Sequence, residues 1–106
     1  MPDHVVMSVL ASLPELYIKQ VEPELHKGFY YLKQNENYKE LTKDFFFNTS
    51  GLTPFSELLD DILFKLRLAK ITSTKDPILG DATNRFSPDE QRLIVQMSQD
   101  LLSVIT

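Results

Sequence analysis

The sequence predicts an all-α fold: an antiparallel four-helix bundle with an additional short N-terminal helix, built as a single domain over residues 1–106. Three observations predict it. Apolar residues recur at three- and four-residue spacing along most of the chain, the signature of helices with one buried face. Several of these stretches open on a serine or threonine followed by proline, the usual grammar of a helix start. Only three glycines stand against six prolines, which favours helices joined by defined turns over strands.

The first element is the apolar run from Val5 to Leu13, read as the short N-terminal helix. A secretory signal would need a basic segment before it, and Asp3 and His4 stand there instead. The run is also well short of the ~20 residues that span a bilayer.

Ser12-Leu13-Pro14-Glu15 supplies a capping serine, a proline and a glutamate for the next helix. From Leu13 an apolar stripe continues through Tyr17, Val21, Leu25, Phe29 and Leu32. Pro23 lies within it, so a kink or break is expected between Lys19 and Pro23. Asn37-Tyr38-Lys39-Glu40 offers a simpler cap for a short helix carrying Tyr38, Leu41 and Phe45 and ending before Gly51. Thr53-Pro54 opens a strong helix over residues 54–70, with Phe55, Leu58, Leu59, Ile62, Leu66 and Ala69 on its buried face. Ser87-Pro88-Asp89-Glu90 opens the last helix, from Pro88 to about Ile105, which buries Ile94, Met97, Leu101 and Ile105. Between Ile71 and Phe86 the composition changes, and a connection of that length inside a bundle is often functional or mobile.

Composition narrows the function. At 106 residues, roughly 65% of the unfolded surface can be buried, enough for one core. The net charge of −4 is spread evenly over both halves, with no basic stripe to neutralise phosphates. Nucleic-acid binding is therefore not expected, and neither is attachment to an anionic membrane or insertion into one. The absence of cysteine removes disulfides, thiolate catalysis and cysteine-ligated zinc, and fits a cytoplasmic protein. Asn48-Thr49-Ser50 matches a glycosylation acceptor only by chance in that setting.

No arrangement for catalysis or for a cofactor is apparent. Glu22 and His26 are four residues apart, but no second Glu/His pair exists to complete a carboxylate metal site, so His26 reads as a solvated helix histidine. In Leu25-His26-Lys27-Gly28 the histidine is too close to the Lys-Gly pair for a phosphotransfer motif, and Gly28 reads as a point of close helix approach. Glu57, Asp60 and Asp61 form an acidic cluster. Adjacent helical residues point about 100° apart, so Asp60 and Asp61 do not converge, and Asp61 is spaced to pair with Lys65. No nucleophile elbow, phosphate-binding loop or calcium loop is present.

Binding is what remains. Phe45, Phe46 and Phe47 are consecutive and radiate around their segment, so either a wide core covers them all or some are partner anchors. Helix 54–70 carries a second apolar line, Phe64, Leu68 and Ile71, beside Lys65, Arg67 and Lys70. Ile78 and Leu79 of the long connection are available to cover that line; otherwise it is an apolar groove with a basic rim. The candidate partner-binding set is thus Phe46, Phe47, Phe64, Lys65, Arg67, Leu68, Lys70, Ile78 and Leu79. The expected role is a non-enzymatic protein-interaction domain, or an adaptor or regulatory subunit docking through its aromatic surface.

The helix Phe55-Ser56-Glu57-Leu58-Leu59-Asp60-Asp61-Ile62-Leu63, the connection after it, and Arg85-Phe86-Ser87-Pro88-Asp89-Glu90-Gln91-Arg92-Leu93-Ile94 together resemble the C-terminal half of the bacteriocin immunity proteins of the enterocin A immunity type. That resemblance implies a cytoplasmic antiparallel four-helix bundle. It also implies protection of a producing cell through a complex with a peptide bacteriocin at its membrane receptor, with specificity set by the C-terminal half. The chain departs from the family pattern in its acidic surface and in the length of the 72–86 connection.

Overall fold

The three longest runs of helical periodicity in the sequence become the three longest helices of the protein. The structure, a computed structural model, describes residues 2–106. It contains α1 (Pro2–Ala11), α2 (Glu22–Gln34), α3 (Lys39–Thr42), α4 (Glu57–Leu68), α5 (Pro77–Asp81) and α6 (Pro88–Ile105), with 3-10 turns at Ile18–Val21, Glu36–Tyr38 and Ala82–Arg85. Among the described residues there is no strand, only isolated bridges pairing Tyr17 with Ser73 and Asn48 with Phe55. The fold is all-α.

α6 forms as its local chemistry dictates. Ser87 Oγ accepts from the Glu90 amide at 3.2 Å, and Glu90 Oε1 accepts from the Ser87 amide at 3.0 Å, a reciprocal capping box with Pro88 in the first turn. Its stripe of Ile94, Met97 and Leu101 is fully buried, and Ile105 packs against the core from its edge. α2 lies along α6, and Gly28 marks the seam: a β-carbon there would fall 2.0 Å from Leu101 Cδ1. The close approach expected at Gly28 is present.

α1 is no appendage. Val5, Val6, Val9 and Leu10 are buried, and the helix packs against α4, α5 and α6. Polar bonds fix its position: Ser98 Oγ of α6 donates to the Val9 carbonyl at 2.7 Å, and the Ser8 and Thr83 hydroxyls are 2.9 Å apart.

Several boundaries differ from the sequence expectation. No helix starts at Pro14; residues 12–17 form turns and extended chain, and α2 begins at Glu22 with Pro23 in its first turn. The break expected between Lys19 and Pro23 is there, as the 3-10 turn Ile18–Val21. Asn35, not Asn37, provides the cap after α2, its Oδ1 accepting from the Asn37 amide. The short helix ends at Thr42, so Phe45 reaches the core from irregular chain and sits 5.9 Å from the Phe29 ring. Gly51 lies in that irregular stretch and caps no helix.

The helix expected over 54–70 spans Glu57–Leu68. Its cap is Ser56, whose Oγ accepts from the Leu59 amide at 3.2 Å. At its other end Lys70 adopts φ 64°, the Ile71 amide donates back to the Leu66 carbonyl, and the Lys70 amide donates to that of Arg67. That is a Schellman ending with lysine where glycine is usual. The 72–86 connection is ordered by α5 and by Thr74, which is buried, and Leu79 and Ala82 pack inward.

Candidate functional site

Glu22 and His26 share one face of α2, directed at α4, His26 at its start and Glu22 at Arg67 near its end. His26 is 4% exposed, not solvated as its sequence context suggested. Burial follows from three partners. Its ring stacks on Phe55 with centroids 4.7 Å apart and planes 13° from parallel. Nδ1 accepts from the Ser56 amide at 3.2 Å, and Nε2 lies 3.6 Å from Asp60 Oδ1. Because Nδ1 is an acceptor, the neutral ring carries its proton on Nε2, facing the carboxylate.

Burial lowers the His26 pKa below its ordinary value, outweighing Asp60 and Glu22, which favour the cation. A general base needs a nitrogen open to a substrate proton, and both His26 nitrogens are engaged by the fold. Among the described residues no group of three His, Cys, Asp or Glu is placed to hold a metal ion. His26 therefore acts as a structural post: it holds the amide of the α4 cap and one face of Phe55.

Three charges of α4, on Asp61, Lys65 and Arg67, are paired. Arg67 Nη1 meets both Glu22 oxygens, at 2.6 and 2.5 Å, linking α4 to the start of α2, and its guanidinium also lies 5.7 Å from the Phe64 ring centre. Lys65 pairs with Asp61 at 3.0 Å, as its spacing predicted. The basic rim expected beside Phe64 and Leu68 is thus neutralised at Lys65 and Arg67. Lys70 serves the backbone turn that ends α4.

The apolar line on α4 divides. Ile71 is buried, whereas Phe64 is 49% and Leu68 68% exposed. The expected cover is elsewhere: α5 packs against α1 and the turn that follows it, which buries Leu79 and leaves Ile78 exposed. Leu79 is accordingly a core residue and leaves the candidate set.

The three consecutive phenylalanines take three fates. Phe45 is core. Phe47 is half-buried, edge-on to Tyr30 at 5.6 Å and 74°. Phe46 is 78% exposed, with the Lys33 ammonium 5.3 Å from its ring centre. Phe46 and Phe47, with Phe55 and Leu58, form the apolar lining of an open groove of about 480 Å³, and Asp44, Asn48 and Glu57 complete it. On its other side Phe55 borders a second hollow of about 440 Å³, shared with Lys19, Glu22, Pro23, His26, Thr53, Pro54 and Asp60. Phe55 is the wall between them, held from behind by its paired backbone bonds with Asn48, at 2.8 and 3.0 Å.

Phe55, expected on the buried face of helix 54–70, lies before that helix and is 43% exposed, and Asp44 stood in no sequence pattern. Ser56 is the signal that could have corrected the first, since a serine caps a helix as well as a threonine such as Thr53 does, and a start there leaves Phe55 outside it. No helix among the described residues is long and apolar enough to cross a membrane. No family model, curated protein or solved structure matches the chain, so the functional reading is built on these residues.

Proposed function

We propose that this chain is a non-enzymatic protein-interaction domain, and that bacteriocin immunity of the enterocin A immunity type is its sharpest form. In that form the chain acts as an antiparallel helical bundle in the cytoplasm of a producing cell, and the partner is a membrane receptor complexed with a peptide bacteriocin. One observation carries the binding reading: beside a well-formed core, exposed Phe46 and Phe55 line one groove, and Phe64 and Leu68 stand exposed on α4. Large apolar side chains left out of a well-formed core, close to one another, mark contact surfaces. The engaged nitrogens of His26 favour binding over catalysis for the His26–Asp60–Glu22 cluster.

The adaptor reading differs only in the partner, and one set of cells separates the two. Cytosolic expression in a sensitive strain is expected to protect it against one member of a panel of peptide bacteriocins, and a Phe46→Ser/Phe64→Ser variant is expected to lose that protection. A photo-crosslinking residue at position 46 or 64 is expected to give one discrete adduct in the native cell. An adduct without protection would move the assignment to an adaptor; neither protection nor adduct would sink the binding reading.

A further inference from the structure

The groove between Phe46 and Phe55 has an apolar floor and a negative rim. Asp44 and Glu57 both line it, and among the described residues neither carboxylate has a cationic group within ion-pairing distance. That sets it apart from the Phe64–Leu68 face, where Lys65 and Arg67 are already matched by Asp61 and Glu22. No lysine or arginine lines the groove. One side of its aromatic wall already accommodates an ammonium group, since Lys33 sits over Phe46 while donating to the Thr42 carbonyl at 3.2 Å.

The groove is also preformed. Phe55 is fixed by stacking on buried His26 and by its two backbone bonds to Asn48, and Phe47 is braced by Tyr30. A rigid aromatic cleft loses little entropy on receiving a ligand. Its volume of about 480 Å³ falls within the size range of binding clefts. It is open along its length, which suits a chain segment more than an enclosed small molecule.

We infer that this groove receives a cationic, amphipathic peptide segment, an apolar anchor side chain entering between Phe46 and Phe55 while flanking lysine or arginine side chains reach Asp44 and Glu57. The inference rests on the protein-interaction reading and names the chemistry of the segment that docks. Two terms act together. The anchor is desolvated against the rings, and the flanking cations meet two carboxylates that no cation among the described residues pairs with, the open face of Phe46 being available for a cation–π contact. The chain's net charge of −4 adds a general attraction for a positive partner.

The test uses the full chain and synthetic peptides of about 14 residues with helical apolar periodicity. One alternates leucine and lysine faces, a second replaces lysine by glutamate, and a third keeps the lysines but replaces leucine by serine. Titration calorimetry gives affinities, and amide chemical-shift mapping locates binding. The leucine–lysine peptide is expected to bind with shifts centred on Asp44, Phe46, Asn48, Phe55, Glu57 and Leu58, and at least tenfold more tightly than either control. Asp44→Lys/Glu57→Lys is expected to weaken it at least tenfold, and Phe46→Ser several-fold; both variants change exposed side chains, so thermal melting should remain near that of the parent. Equal binding of the glutamate peptide, shifts centred on Phe64 and Leu68, or no binding would overturn the inference. Each of those results leaves a crosslinked adduct or protection in cells intact, so failure of the groove chemistry is distinguishable from failure of the interaction reading.

Discussion

The amide of Ser56 donates to Nδ1 of His26 across 3.2 Å, joining the first residue of the α4 cap to the middle of α2. A helix start normally leaves its amides to water or to a local cap. Here Ser56 caps α4 with its hydroxyl and is itself held by a histidine thirty residues earlier in the chain. The same ring supports Phe55, so one side chain sets both the beginning of α4 and the wall between the two grooves.

That bond ties stability to pH. Nδ1 can accept only while unprotonated, and the folded pKa of His26 lies below its ordinary value because of burial, with Asp60 and Glu22 opposing and Arg67 already committed to Glu22. The unfolded chain therefore binds more protons between the two pKa values, so the stabilisation is present above about pH 6.5 and is lost as pH falls through the folded value. Urea unfolding of the parent is expected to show declining stability from about pH 7.5 to about pH 5. His26→Phe keeps a ring against Phe55 but orphans the Ser56 amide. It should lose about 1–3 kcal/mol at neutral pH and show a flatter dependence over that range. A pH profile in His26→Phe as steep as the parent's would remove His26 as its cause.

The Gly28–Leu101 seam predicts an unusual sign for a helix glycine. Replacing an interior glycine by alanine ordinarily gains about 1 kcal/mol. At position 28 the added carbon meets Leu101 Cδ1 at 2.0 Å, and Leu101 is fully buried, so its side chain must shift within the core. Gly28→Ala is therefore expected to destabilise by about 1–2 kcal/mol net, as overpacking outweighs propensity. Leu101→Ala alone should cost about 2–4 kcal/mol through its cavity. The double variant should be more stable than the sum of the two, because the new methyl group occupies part of that cavity; simple additivity in a double-mutant cycle would count against the seam.

Lys70 makes the opposite prediction. Its φ of 64° places a side-chain-bearing residue in the left-handed region, which costs roughly 1–2 kcal/mol outside glycine. The ending it serves is held by the Ile71–Leu66 and Lys70–Arg67 backbone bonds and by burial of Ile71. Lys70→Gly should raise stability by about 0.5–1 kcal/mol, after the greater freedom of glycine in the unfolded chain is counted. A melting temperature lower than the parent's would show that the lysine side chain has a separate role.

These positions show what the sequence could reveal. α6 was legible because its stripe, proline and capping box are all local, and no distant group competes for Ser87. The all-α class and the break before Pro23 were legible on the same grounds. The start of α4 was not, because Thr53 and Ser56 are both plausible caps and His26 decides between them. The apolar line Phe64–Leu68–Ile71 gave no sign that α5 would pack on α1 and leave two of its members exposed. Nor could spacing show that Arg67 is claimed by Glu22, forty-five residues away. The groove was half legible: Phe46 and Phe47 were candidates from their crowding, while Phe55 and its two carboxylate neighbours depend on the path of irregular chain between α3 and α4.

The clearest conflict between local signal and tertiary structure lies at Ser12-Leu13-Pro14-Glu15, and it supplies the last prediction. Ser12 does not cap a following helix; its hydroxyl donates back to the Ser8 carbonyl and closes α1. The groups that a helix would have satisfied are taken by Thr74, whose buried hydroxyl donates to the Pro14 carbonyl at 2.5 Å and accepts from the Leu16 amide at 3.0 Å. Around it the Thr74 amide donates to Leu16 and the Ile18 amide to Thr72, so residues 14–18 and 72–74 form a clasp of main-chain bonds. Thr74→Val preserves shape but leaves both the Pro14 carbonyl and the Leu16 amide without partners, and should lose about 1–3 kcal/mol. Thr74→Ser retains the hydroxyl and gives up one methyl group, so its loss should be near 1 kcal/mol or less. Amide exchange supplies the local readout: Leu16 and Ile18 should exchange markedly faster in Thr74→Val, while α6 amides change only with global stability. Equal losses in the two variants, with no selective change at Leu16, would mean that the clasp rests on packing at Thr74 and not on its hydroxyl.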